Sequence, residues 1–226
     1  GGGMHIEGSD PALTNVTISG NTASAMGGGG MCLWSSSPTL TNVTISGNTG
    51  GFYAGGGGIL LMEYSYPIII NSIIWNDWPQ AISLMFGSEQ PIIRFSNIGG
   101  GWEGEGNINI DPMFVDPNDL DFTLEEESPC IDAGIAYFEI NEEVIVDLDE
   151  SGYYGLAPDM GAYENESILL GDVNQDYIIN VQDILIVINY IFGNIIFSNE
   201  QIVQGDIDED GFVNINDILL MVNLIF

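Results

Sequence analysis

The chain has 226 residues, with 33 acidic side chains against a single Arg (Arg94), no Lys and one His (His5), a formal net charge of −32. Such a surface excludes nucleic-acid binding, which needs Lys and Arg in number to neutralise phosphates, and it repels anionic membranes and polyanionic sugars. Hard cations, calcium above all, are what it attracts.

With 45% hydrophobic residues and 30 Gly, the chain is expected to be folded and turn-rich, not an acidic disordered tail. No segment reaches the length of a membrane span; the most apolar, 184–197, is interrupted by Asn189, Gly193 and Asn194. Cys32 and Cys130 lie far apart in no metal-like spacing and read as two buried free thiols, with pairing left open. The carboxylates are uneven, five in 1–100, nineteen in 101–167 and nine in 168–226, which predicts three regions of different chemistry.

The first hundred residues repeat. PALTNVTISGN at 11–21 returns as PTLTNVTISGN at 38–48 and as PIIINSIIWND at 67–77, with a degenerate copy, PIIRFSNI, at 91–98. GGGM at 1–4 returns at 28–31 and as GGGI at 56–59. Each unit holds two short alternating runs between Gly- and Ser-rich turns. One such unit cannot bury its apolar face alone, but stacked units share a continuous interior. Val16, Val43 and Ser72 are expected to form one file, Ile18, Ile45, Ile74 and Ile98 a second, and Leu13, Leu40, Ile69 and Ile93 a third. The third file has opposite parity, so the chain must bend at Asn15, Asn42 and Asn71, where stacked amides are expected to bond along the column. These repeats resemble the right-handed parallel β-helix family; a leucine-rich solenoid would need Leu and helix signals that the repeats lack. Because residue 1 already belongs to a repeat, an N-terminal cap is expected to precede it, with or without further coils.

From 99 to 167 strand-like fragments continue (107–110, 113–115, 122–124) between longer loops. GNINIDPMFVDP, DFTLEEESPCIDAG and PDMGAYE resemble the closing segment of secreted bacterial β-helix proteins, which implies last coils with a cap. The run Asp147-Leu-Asp149-Glu-Ser151-Gly152 has the alternating oxygens of a calcium turn but no bidentate Glu at loop distance, and reads as a solvated acidic loop.

The most specific pattern is at the C-terminus. GDVNQDYIINVQDILIVINYIFG at 171–193 returns as GDIDEDGFVNINDILLMVNLIF at 205–226. The first copy offers Asp172, Asn174, Asp176, the Ile178 carbonyl, Asn180 and Asp183; the second offers Asp206, Asp208, Asp210, the Phe212 carbonyl, Asn214 and Asp217. This 1-3-5-7-9-12 spacing wraps oxygens around one Ca²⁺, so two calcium sites are expected. Each loop runs into an amphipathic helix, with Ile184, Val187, Ile188 and Ile191 on one face of the first and Ile218, Val222 and Ile225 on one face of the second. SNEQ at 198–201 is a capping box that opens a short helix between them.

The duplicated loop and helix resemble the type I dockerin family, for which Asp at the twelfth position (Asp183, Asp217) is typical. The sixth position departs in loop one, Tyr177 against Gly211, and loop one carries three carboxylate ligands against four, which predicts weaker calcium binding there. The resemblance implies calcium-dependent folding and a partner, a cohesin on a scaffold or cell surface, with the protein's own β-helix surface as the alternative. Val181, Gln182, Ile215 and Asn216 match positions where dockerins discriminate cohesins, although the apolar pair could equally serve helix-start packing.

An enzyme is poorly supported. Arg94 is the only candidate base for lyase chemistry and reads better as a salt-bridge partner for the acidic middle. Glu7, Asp10, Glu63, Asp77 and Glu89 are the only carboxylates in the coils, and Asp77 aligns with Asn21 and Asn48 as a structural ladder. His5 lacks a Ser or Cys partner at persuasive spacing. Trp75, Trp78, Trp102, Tyr53, Tyr64 and Tyr66 fall in or near turns, suited either to neutral sugar rings or to packing.

The expected architecture is therefore mainly β: parallel β-helix coils over 1–98, an acidic closing segment over 99–167 and a small all-α dockerin-like domain over 168–226. The expected function is a secreted or cell-surface protein that binds neutral polysaccharide and is tethered through calcium. The alternatives are a polysaccharide-degrading lyase or glycoside hydrolase of a cellulosome-like system, and a structural filament protein.

Overall fold

The computed structural model describes residues 1–24, 27–52, 55–149, 152–165 and 169–225. The backbone divides into two compact units, Gly1–Asn165 and Glu166–Phe226. Tyr53, and Glu150 and Ser151 of the acidic run at 147–152, lie outside the described residues, as does the 167/168 boundary expected from the sequence.

In the first unit two parallel sheets face each other. One contains β1 (Met4–Glu7), β3 (Met31–Trp34), β5 (Ile59–Met62) and β8 (Ile82–Leu84) in that order. The other stacks β2 (Ala12–Ser19) on β4 (Thr39–Ser46), and β4 on the split pair β6 (Ile68–Ile70) and β7 (Ile73–Trp75). Below these lie β9 (Ile92–Arg94) and β10 (Asn97–Ile98). The registers Ile18↔Ile45↔Ile74↔Ile98 and Leu13↔Leu40↔Ile69↔Ile93 are the files expected from the repeat, and Leu40, Ile45, Ile69, Ile74 and Ile93 are fully buried. Val16 pairs with Val43, and Ser72 continues that file by accepting the Val43 N–H on its hydroxyl at 3.1 Å.

Parity reverses where predicted. Asn15, Asn42 and Asn71 take φ of 55°, 52° and 49°, the left-handed region that Asn tolerates better than most residues, and each turns the strand so that both halves point inward. Their amides do not bond to one another, contrary to expectation. Asn42 Nδ2 donates to the Asp159 carbonyl at 3.2 Å, and Asn71 exchanges two bonds with the backbone of Ile135 at 2.8 and 2.9 Å. The amide ladder lies one corner further on, where Asn21 Nδ2 donates to Asn48 Oδ1 and Asn48 Nδ2 to Asp77 Oδ1, both at 3.0 Å.

Against this ladder the repeated glycines are a steric requirement. A Cβ at Gly29 would stand 2.5 Å from the Gly57 carbonyl oxygen and from Thr49 C, both backbone and unable to yield.

The segment after Ile98 differs from the expected run of coils. A single parallel bridge, Asn97↔Ile108, extends the stack. Two antiparallel hairpins follow, β11 (Phe114–Asp116) with β12 (Asp121–Leu124), and β13 (Tyr137–Ile140) with β14 (Glu143–Asp147). The remaining chain straps the second sheet: Gly161 N donates to the Asn71 carbonyl at 2.8 Å and Ala162 N to Thr44 Oγ1 at 2.9 Å. Hence the outward residues of β4, Thr41, Thr44 and Ser46, are buried although the repeat alone leaves them at the surface. Both cysteines are free and buried, Cys130 among Ile73, Leu124 and Met160, and Cys32 beside Leu60 and Met62.

The second unit holds α1 (Val181–Ile191), α2 (Asn199–Gly205) and α3 (Ile215–Ile225). Asn180 and Ser198 each form a capping box, with Asp183 and Gln201 as the third helical residues. Val173, Ile184, Val187, Phe197 and Met221 form the core, and Ile188, Ile218 and Ile225 pack against it. Two expected core positions are corrected: Ile191 is 39% exposed and Val222 37%, while Met221 is fully buried. The helices are apolar on more than one side, so periodicity alone could not choose the inner face. Among the described residues no helix is long and apolar enough to cross a membrane.

Candidate metal centre

Both loops close by matching hydrogen bonds, with one more in the second, from Ile207 N to Asp217. In the first, Asp172 accepts from the N–H groups of Asp176 (3.1 Å) and Tyr177 (2.8 Å), and Asp176 accepts from Ile178 N (3.0 Å). Asp183 reaches back to accept from Asn174 N (3.1 Å) and Asn180 N (2.9 Å). In the second, Asp206 accepts from Asp210 N (3.1 Å) and Gly211 N (2.8 Å), and Asp210 from Phe212 N (2.9 Å). Asp217 accepts from Ile207 N (2.8 Å), Asp208 N (3.3 Å) and Asn214 N (2.7 Å). Asp183 and Asp217 are fully buried at the first turn of α1 and α3, where the helix end favours negative charge.

The carboxylates converge. One oxygen from each of Asp172, Asp176 and Asp183 lies within 4.8 Å of the others, and so do those of Asp206, Asp208 and Asp210. Two oxygens on one Ca²⁺, each at about 2.4 Å, can be no more than about 4.8 Å apart, a span that both sets meet, the second without Asp217. Asn174 is tied into the first loop through Asp176. Asn180 and Asn214 use their side-chain oxygens to cap Gln182 N and Asn216 N, and their amide nitrogens donate to the Ile178 and Phe212 carbonyls at 3.1 and 2.9 Å. Position nine of each loop is thereby suited to reaching an ion through water.

The electrostatics ask for a cation. Residues 168–226 contain no Lys, Arg or His. Burial, and then the charges of Asp183 and Asp176, hold the Asp172 carboxyl above the ordinary range against the bonds from Tyr177 and Asp176. Asp208 is raised by desolvation and by Asp210, Asp217 and Asp206. The sixth positions adopt the same left-handed turn in both loops, Tyr177 at φ 60° and Gly211 at φ 88°, so the Tyr departure costs strain without altering the course of the chain.

Beside each loop stands an apolar stripe. Val181 (50% exposed) and Ile215 (67%) face solvent, so neither serves helix-start packing. One turn on, Leu185 and Leu219 are exposed too, preceded by Ile178 and Phe212. Sequence reasoning missed the leucines; the signal was an apolar residue four places after each helix start.

His5 Nε2 lies 3.6 Å from Glu7 Oε2, both exposed. Arg94 donates to the Ile93 carbonyl at 2.8 Å and forms no ion pair with the described carboxylates, contrary to expectation. Trp78, Tyr64 and Tyr66 are exposed, as is Trp34, which the sequence did not single out, whereas Trp75 and Trp102 pack partly against the core. Trp75 and Asn76 border two clefts, one of about 490 Å³ with Asp111, Phe114 and Glu125, the other of about 370 Å³ with Asp77, Pro79 and Gln80.

Comparison with known families agrees with both units. Residues 1–104 match the right-handed β-helix region family and residues 170–226 the dockerin type I domain family. No curated protein and no solved structure matches the chain. Dockerin domains bind calcium and attach to cohesin domains, and the proteins that carry them are typically extracellular. The stacked parallel rungs, the duplicated loop-helix unit and the two family matches together identify this chain as a right-handed parallel β-helix joined to a C-terminal dockerin type I domain.

Proposed function

We propose that the protein is a secreted attachment unit in which two calcium ions order the dockerin and the β-helix is the cargo it holds on a cohesin-bearing scaffold or cell surface. The observation that carries this reading is the duplication: two loops with one hydrogen-bond pattern, each beside an exposed apolar stripe. Asp172, Asn174, Asp176, the Ile178 carbonyl and Asp183 would hold the first ion, and Asp206, Asp208, Asp210, the Phe212 carbonyl and Asp217 the second, with Asn180 and Asn214 acting through water. Calcium supplies the missing positive charge, and the chain's own groups place the stripes Val181–Leu185 and Ile215–Leu219 for a partner. We assign residues 1–98 to the coils, 99–167 to their closing segment and 168–226 to the dockerin.

Calorimetric titration of the full chain with calcium tests this. Two sites are expected, and Asp206→Ala with Asp217→Ala should remove one; unchanged stoichiometry would defeat the loop assignment. Leu185→Asp with Leu219→Asp should weaken cohesin capture and leave calcium binding intact.

For the cargo, the clefts beside Trp75 and the exposed Trp78, Tyr64 and Tyr66 support binding of neutral polysaccharide. A glycan-array screen with product analysis tests it. Binding without products supports the adhesive role, and new reducing ends or unsaturated products would replace it with a degrading enzyme.

A further inference from the structure

We infer that Asp77 is a proton-bearing member of an otherwise amide ladder, and that its ionisation unlatches the turn from Trp75 to Ala81 and the cleft this turn borders. Asn21, Asn48 and Asp77 occupy one position in three successive coils. In each junction the lower side-chain oxygen accepts two bonds from the residue above. Asn48 Oδ1 takes Asn21 N (2.9 Å) and Nδ2 (3.0 Å), and Asp77 Oδ1 takes Asn48 N (2.7 Å) and Nδ2 (3.0 Å). The nitrogen of each Asn also donates to the carbonyl two residues back, Asn21 to Ser19 at 3.0 Å and Asn48 to Ser46 at 3.2 Å. Asp77 Oδ1 therefore does the work of an amide oxygen, and Oδ2 is the ladder counterpart of the amide nitrogen, for which the carbonyl two residues back is that of Trp75.

That oxygen is buried and has no hydrogen-bond partner. A Cβ on Gly58 would lie 2.7 Å from it and one on Gly30 only 3.2 Å from Asn48 Nδ2, so the glycine corner packs directly onto the ladder. As a carboxylate, Oδ2 would be buried with no donor, the costly arrangement for a charge. As a carboxylic acid it gains an O–H donor for the Trp75 carbonyl, the counterpart of the Ser19 and Ser46 carbonyls that the amides above bond. The groups placed against it, Asn48, Gly58 and the other residues of the 370 Å³ cleft, carry no titratable side chain, so no neighbouring charge competes with burial. Burial accordingly pushes the Asp77 carboxyl up to about 7, against the lowering effect of the two Asn48 bonds.

The consequence is local. Trp78 is held through Asn48 by Trp78 N to the Asn48 carbonyl (2.9 Å), and Trp75, Asn76, Asp77, Pro79 and Gln80 line the 370 Å³ cleft. A proton lost from Asp77 keeps the two Asn48 bonds to Oδ1 but leaves Oδ2 charged, buried and without a donor, and the turn must open to bring that oxygen to water. The folded-state value lies above the unfolded value of 3.8, so protonation favours folding. The contribution is complete below about pH 4, falls about tenfold in the folding equilibrium per pH unit between about 4 and 7, and is gone above about 7.

The test uses the full chain with excess calcium, labelled with ¹³C at Asp carboxyls and titrated by NMR from about pH 4 to pH 8. The Asp77 signal is assigned by its loss in Asp77→Asn. Hydrogen exchange over 73–81, corrected for intrinsic rates, is followed in parallel. Asp77 should titrate near pH 7, and protection of 76–81 should fall with pH in the parent and stay level in Asp77→Asn. Titration in the ordinary Asp range, or superimposable exchange profiles, would overturn the inference. Failure of Asp77→Asn to fold would overturn it too, since the amide is the inferred equivalent of the protonated acid.

Discussion

The twelfth residue of the second dockerin loop offers a test in which two substitutions separate structural from metal-holding roles. Asp217 is fully buried and accepts three backbone N–H bonds, from Ile207, Asp208 and Asn214, at 2.7 to 3.3 Å. Hydrogen bonds to a charged group contribute roughly 1.5–3 kcal/mol each, and water can reach the exposed rim at Asp208 and Asp210, so Asp217→Ala should cost about 2–4 kcal/mol even in excess chelator. Asp217→Asn keeps one oxygen, which serves the Ile207 and Asp208 amides, and loses one bond to Asn214. It also removes one of four mutually repelling carboxylates, so in chelator it should lie within about 1 kcal/mol of the parent. In calcium the order changes character. Asn supplies no negative charge to the ion, and second-loop affinity should fall by about 10–100-fold, equivalent to about 1.4–2.7 kcal/mol. Calorimetry measures the affinity, and hydrogen exchange over 205–217 with calcium and with chelator measures the local stability. Equal calcium affinity for Asp217→Asn and the parent would refute the metal-holding role. Equal cost of Ala and Asn in chelator would refute the hydrogen-bond reasoning.

Tyr177 sits at φ 60° where the second loop has Gly, so Tyr177→Gly should relieve about 1 kcal/mol of backbone strain and tighten calcium at the first loop, read by the same titration. Gly29→Ala should cost several kcal/mol or prevent folding, because its methyl would meet backbone atoms 2.5 Å away, seen as loss of the cooperative β-helix transition on heating. The strap that covers β4 should loosen as pH rises. Burial holds Asp159 at about 6 and Glu164 at about 7, the latter raised further by Asp159, so both are more protonated when folded and their contribution disappears between about pH 4 and 7. Hydrogen exchange over 154–165 at pH 5 and pH 8 should show it, and Glu164→Gln should flatten the difference.

Much of this architecture is legible before any coordinates, because both halves are built from repeats. Spacings of 27 and 29 residues between Pro11, Pro38 and Pro67 reappear as the sequence separations of the ladder bonds Asn21–Asn48 and Asn48–Asp77. A repeat must stack on its own copy in one register, and alternation then names the inward residues. The dockerin loops are legible for a related reason: ligand spacing around one ion is local, so six positions specify the turn without help from the rest of the chain. The bend at Asn42 and Asn71 was legible too, but the partners of those amides were not, since Asp159 and Ile135 lie 117 and 64 residues away along the chain.

The amino-acid order by itself determined the periodic features: two parallel sheets with shared interior files, glycine corners, an amide ladder ending in Asp77, and two oxygen-rich loops opening two helices. Tertiary structure alone decided the non-periodic ones. It replaced further coils after Ile98 with hairpins and a strap, left Arg94 on its neighbour's carbonyl, buried Met221 in place of Val222, and exposed Leu185 and Leu219. The physical reason is the range of the interaction. Repeats and loops are set by neighbours at fixed separations, whereas burial of one apolar helix face over another, or of a carboxylate without a partner, depends on what distant chain arrives to cover it.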